Sequence, residues 1–212
     1  MIAAGIQQLV APELPSWASI APMRLLGRNV GAVVTSFGDE QQRRADCGLG
    51  ALDNSTLLRV LFQLPDCVPM PSSHLGNWER GVLARGPKGI VEQRQGVITR
   101  LACPPVKVEL VVVTSRKWQY GIHLTSQYGP FCRRVLALPS MPSERRELEN
   151  LKLEARMYGI GVISTQHVAD GWLVPPAPFK PRRFSSGQWL FHERAYAEML
   201  LTPGAGGSRT SN

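Results

Sequence analysis

VKVELVVVTSRKWQYGIHLTSQYGPFCRRVLALP, residues 106–139, decides how the rest of the chain is read. Val106, Val108, Leu110, Val111, Val112 and Val113 form a near-continuous apolar run rich in β-branched residues, the composition of a strand covered on both faces. An amphipathic helix and a short apolar strand, Arg133 to Leu138, follow it. A lone carboxylate, Glu109, interrupts the first run. An ionised acid in such a strand must end at the rim or meet a cation or a hydrogen-bond donor, because burying it unpaired is costly.

Downstream, the α/β order continues. Ser143 is placed to cap a helix from Glu144 to Tyr158, with Leu148, Leu151, Leu153 and Ala155 on one side and Arg145, Glu149, Lys152 and Arg156 on the other. Gly159 ends that helix, GIGVIS reads as a strand, and ADGWLVPPAPFKPRR as a hairpin arm and crossing loop. A terminal helix, GQWLFHERAYAEMLL, is expected to pack Trp189, Leu190, Tyr196 and Leu200, and residues 203–212 read as a disordered tail. Upstream, Val30–Phe37 and Arg44–Leu52 flank the polar stretch GDEQQR, which predicts a β-hairpin with Asp46 on its second strand. The core is thus expected in residues 1–52 and 105–202, interrupted by a module at 53–104.

That module begins with a helix from Asp53 or Ser55 to about Leu64, its apolar stripe made of Leu57, Leu58, Leu61 and Phe62. Pro65, Pro69 and Pro71 stop it. A second helix, SSHLGNWERGVLARG, starts at a serine cap, and Ile90–Gln93 with Val97–Leu101 form a hairpin. Helix, turn, helix and basic hairpin in this order resemble a winged helix-turn-helix, which implies that the second helix enters the DNA major groove. On that resemblance, Asn77, Arg80, Arg85, Lys88, Arg94 and Arg100 are the nucleic-acid contacts.

The charge distribution points the same way. The chain of 212 residues carries a net +8, but residues 74–134 hold ten basic against three acidic groups, while residues 1–73 hold five against six. A localised positive field favours a polyanion such as nucleic acid as partner, and the winged-helix resemblance implies double-stranded DNA. Composition supports a packed core, with 43% hydrophobic residues. No apolar run reaches membrane-spanning length and the start of the chain lacks a basic signal region, so a cytoplasmic location without a membrane partner is expected. Cys47, Cys67, Cys103 and Cys132 are widely spaced without a CxxC pair and read as reduced, structural thiols. His74, His123, His167 and His192 share no metal-binding spacing, and the five tryptophans are read as core residues. P-loop, dinucleotide, serine-esterase and zincin motifs are absent from the sequence.

An acid on a hairpin strand, a strand with Glu109, a helix with Gln127, a strand ending LALP, a helix and the strand YGIGVI together resemble the PD-(D/E)xK, or restriction-endonuclease-like, nuclease superfamily. The resemblance covers about residues 28–165. It implies an α/β fold: a mixed sheet flanked by helices, here with the small winged-helix-like module. It also implies Mg²⁺ if the chain is active, held by Glu109 with Asp46 or Glu92, and Gln127 as a supporting residue. Val111 stands at the family's lysine position, so Lys107 or Lys117 would have to supply the amine. The reading is therefore a DNA-binding protein with a nuclease-like fold. An active Mg²⁺-dependent endonuclease and a non-catalytic regulator or interaction subunit are the alternatives, and a homodimer or a protein partner is compatible with each.

Overall fold

The computed structural model describes residues 20–166, 171–180 and 183–201. In chain order the elements are β1 (Ile20–Leu25), β2 (Arg28–Ser36), α1 (Gly38–Cys47), α2 (Ser55–Gln63), β3 (Met70–Pro71), α3 (Asn77–Ala84), β4 (Val91–Arg94), β5 (Val97–Arg100), β6 (Val106–Thr114), α4 (Trp118–Ser126), β7 (Arg133–Leu138), α5 (Arg145–Tyr158), β8 (Gly161–Ser164) and α6 (Ser186–Leu201). The chain is an α/β protein with a five-stranded mixed sheet, a smaller three-stranded sheet and, among the described residues, six α-helices. It divides into two units, Met1–Thr35 with Val108–Arg182, and Ser36–Lys107 with Arg183–Asn212.

The first unit is built on the sheet β1-β2-β6-β7-β8. β1 and β2 pair antiparallel from Ile20↔Val33 to Leu25↔Arg28, joined by Leu26 and Gly27, both left-handed at φ 50° and 76°. Two positive-φ residues give the tight turn whose twist suits a hairpin. Gly31 lies against Val112, and Thr35 against Glu109, so β2 and β6 run in opposite directions. β6, β7 and β8 are parallel, with Leu110 opposite Arg133 and Val135 opposite Gly161. α4 and α5 make the crossovers that parallel strands require.

Alternation along these strands creates two cores. Val33, Leu110, Val112, Val135, Ala137 and Ile163 pack together, and Leu136, Leu138 and Val162 pack with Trp118, Ile122, Leu151, Ala155 and Ile160. Gly121 lets α4 approach closely, since a Cβ there would sit 2.5 Å from Leu136 Cδ1. Buried Tyr128 donates its hydroxyl to the Leu25 carbonyl at 2.9 Å, tying the loop after α4 to the first strand.

In the second unit, α1, α2, α3 and α6 accompany the small sheet β3-β5-β4. Leu57, Leu58, Val60, Leu61, Leu83, Ile90, Ile98 and Trp189 are among its buried core residues. Gln95 and Gly96, at φ 48° and 78°, turn the β4–β5 hairpin.

Several sequence expectations are corrected. GDEQQR is not a turn, and Arg44–Leu52 is not a strand: α1 occupies Gly38–Cys47, and β2 pairs with β1 instead. Acids Asp39 and Glu40 in its first turn, Glu40 bonds to Arg43 and Arg44, and Gly48 in the left-handed region at its end explain the helix. Asn54 caps α2, accepting from the Leu57 amide at 3.0 Å, in place of Asp53 or Ser55. The second helix of the module begins at Asn77, after a 3₁₀ turn over Ser72–His74, with Glu79 reaching back to the Gly76 amide at 2.7 Å. Glu144 rather than Ser143 occupies the cap position of α5. The terminal helix falls in the second unit, and its Leu200 is exposed. The tail 203–212, His167 and Trp17 lie outside the described residues.

Candidate functional site

Glu109 sits on β6 between fully or nearly fully buried Val108 and Leu110, and is itself half-buried. Its Oε1 accepts a hydrogen bond from the Thr35 hydroxyl at 3.1 Å, so a donor on the neighbouring strand meets the acid. Val111, at the position of the expected amine, is completely buried. Lys107 and Lys117 are exposed, and Gln127 is an exposed residue closing the end of α4.

The acids expected beside Glu109 have other settings. Asp46 is an exposed residue of α1, accepting from Gln42 at 2.7 Å, and it belongs to the second unit. Glu92, on β4 of that unit, pairs with Arg94 at 2.7 Å. Among the described residues Glu109 belongs to no group of three or more carboxylate, imidazole or thiol ligands. Mg²⁺ is commonly held by one or two carboxylates with waters completing the octahedron; of the three expected acids Glu109 alone lies in the five-stranded unit, and buried Val111 supplies no amine there.

The basic candidates are better assembled. On α3, Asn77, Trp78, Arg80 and Ala84 are exposed, as is Arg85 just past its end. Spacings of three, four and seven place 77, 80, 81 and 84 along one helical face. Arg80 donates to the Asn77 side-chain oxygen, which pre-orders both. Trp78 is 52% exposed with the Arg59 guanidinium 5.4 Å from its ring centre, so the core assignment for this tryptophan is corrected. Lys88 is exposed, and the Arg94 side chain at the hairpin tip is 81% exposed.

Arg100 behaves differently. Its side chain is only 11% exposed, lies 3.1 Å from Asp66 and 5.3 Å above the Trp189 ring, and donates to the Leu61 carbonyl at 3.3 Å. It holds the fold and is not available as a surface contact.

Spacing along the chain concealed a further cluster. Cys103 Sγ lies 3.1 Å and Cys67 Sγ 3.6 Å from Asp66 Oδ1, although 36 residues separate the thiols. Burial first, and then Asp66, push the Cys103 thiol up to about 12. Two loops that meet beside β5 create this grouping, and no local motif announces it.

No family model matches the sequence, and no curated protein or solved structure matches it.

Proposed function

We propose that this chain is a non-catalytic DNA-binding protein, in which α3 and the β4–β5 hairpin form the contact surface and the five-stranded unit is a nuclease-like scaffold. The exposed row Asn77, Trp78, Arg80, Ala84 and Arg85, followed by exposed Lys88 and Arg94, carries the reading. Helix, short strand, helix and hairpin with sheet order β3-β5-β4 support a winged-helix-type module, in which a helix presents side chains to base edges and the wing meets phosphates. Antiparallel β1-β2-β6 continued by parallel β7 and β8 supports the restriction-endonuclease-like reading of the other unit. Valine at the expected amine position and the Thr35 hydroxyl on the Glu109 carboxylate support the non-catalytic reading.

In this arrangement Arg80 and Arg85 serve the groove, Asn77 offers paired donor and acceptor groups to a base, and Lys88 and Arg94 neutralise the backbone. The test is fluorescence anisotropy with labelled duplex DNA between about 50 and 200 mM salt. Steep weakening is expected, with Arg94→Ala lowering the salt slope by about 1 and Arg80→Ala weakening binding. Affinity that ignores salt, or that survives both substitutions, overturns the proposal.

A further inference from the structure

We propose that Asp66, Cys67 and Cys103 form a zinc site in the second unit, with one carboxylate oxygen and two thiolate sulfurs as protein ligands and water in the fourth position. The three donor atoms all lie within 4.8 Å of one another, and they are the one such group among the described residues. Tetrahedral zinc with bonds of about 2.3 Å to sulfur and about 2.0–2.2 Å to oxygen requires donors roughly 3.5–3.8 Å apart. The distances from Asp66 Oδ1 to the two sulfurs, 3.1 and 3.6 Å, bracket the lower end of that span. Small side-chain rotations complete the geometry.

Donor chemistry selects the ion. Two soft thiolates with one carboxylate disfavour Mg²⁺ and Ca²⁺, which take oxygen ligands, and suit zinc. Zinc binding converts two thiols and a carboxylate into a complex of net charge −1 and releases two protons, with no change of oxidation state. The Arg100 guanidinium, 3.1 Å from the same Asp66 oxygen, balances that charge.

The backbone holds the ligands in place. The Cys103 amide donates to Glu40 at 3.2 Å, and its carbonyl accepts from Arg44 at 2.7 Å. The Cys67 amide donates to the Arg100 carbonyl at 3.3 Å, and Asp66 forms a bridge with Arg100. Cys67 itself is held at φ 52°, a left-handed conformation unusual for a side chain of this type. Both ligand segments are therefore fixed to β5 or to a buried charge network, the kind of support a metal site needs. Asp66 and Cys67 are exposed, which leaves a path for the ion.

The experiment uses the reduced full chain titrated with Cd²⁺ and Co²⁺ as spectroscopic probes for zinc. One ion per chain is expected, with thiolate-to-metal charge-transfer absorbance that disappears in Cys67→Ser and Cys103→Ser and persists in Cys47→Ser. Asp66→Asn should weaken binding by about tenfold or more. A second measurement avoids variants altogether: zinc should protect Cys67 and Cys103, but not exposed Cys47, from alkylation read by mass spectrometry. Absence of the absorbance band in the wild type, a band that survives Cys103→Ser, or thiols alkylated at saturating zinc would each overturn the proposal. So would a Cys67–Cys103 disulfide that forms in preference to the metal complex.

Discussion

Arg44 and Glu193, 149 residues apart, form a bidentate ion pair at 2.8 and 2.7 Å with both side chains completely buried. Glu193 also accepts from the Leu52 amide at 2.9 Å and from Trp189 Nε1 at 2.8 Å. Arg44 also donates to Glu40 and to the carbonyls of Gly50 and Cys103. Burial works against the Arg44 charge, but Glu193 and then Glu40 outweigh it and hold its pKa above the ordinary arginine value. Breaking a pair of this kind leaves an uncompensated charge in the interior, so Glu193→Ala should cost about 3–5 kcal/mol in urea unfolding. Replacing both residues by apolar ones rescues an isolated buried pair. Here Arg44→Met with Glu193→Leu should stay destabilised, because the Leu52 and Trp189 donors and two carbonyls lose partners.

Tyr128 gives the five-stranded unit an alkaline limit. Burial raises its pKa, and the hydroxyl donates to Leu25, so the folded state keeps the proton above the pH at which the unfolded chain loses it. A folded pKa above the unfolded value, about 10, gives stability that is full below pH 10 and is lost as pH rises through the folded value. Urea midpoints measured from neutral pH to beyond pH 10 should therefore fall more steeply for the wild type than for Tyr128→Phe. Parallel curves would show that the Tyr128 proton has no part in this loss.

What the sequence disclosed was periodicity; what it withheld was pairing across distance. VKVELVVV reads as a buried strand because its β-branched residues suit a pleated, covered sheet, RRVLAL reads as one because it is a short apolar run in α/β order, and Gly159 marks the end of α5. The stretch GDEQQRRADC reads as a turn and second strand because a β-branched run precedes it, whereas its helical signals are the Glu–Arg spacings and Gly48. Glu109 was legible as an acid in need of a donor, and Thr35 was not legible as that donor because the β2–β6 pairing is made 74 residues away. Cys67 and Cys103 illustrate the same limit.

Arg100 and Arg94 lie on one hairpin and should separate fold from binding. Arg100 is held by Asp66, the Leu61 carbonyl and the Trp189 ring, whereas Arg94 points to solvent beside Glu92. Arg100→Ala should lower stability by about 1–3 kcal/mol, the scale for losing charged hydrogen bonds, and leave the salt slope of DNA binding unchanged in protein that remains folded. Arg94→Ala should do the reverse, with stability within about 0.5 kcal/mol of wild type. Equal stability losses in the two variants would contradict this division of roles.

Glu109→Gln tests whether the acid serves structure or metal chemistry. The amide oxygen of glutamine can still accept from the Thr35 hydroxyl, so the local hydrogen bond survives while the charge is lost. If Glu109 is a strand acid satisfied by a neighbour, Mg²⁺ and Mn²⁺ should leave the melting temperature unchanged in both proteins, and neither protein should nick plasmid DNA. A ligand that binds the folded state raises apparent stability by RT ln(1 + [L]/Kd), so ion at about 100 times its Kd would add about 2.7 kcal/mol. Thr35→Val should then be the more damaging change, since it removes the donor and leaves a half-buried carboxylate without this partner. A metal-dependent rise in melting temperature that Glu109→Gln abolishes would return the site to the nuclease reading.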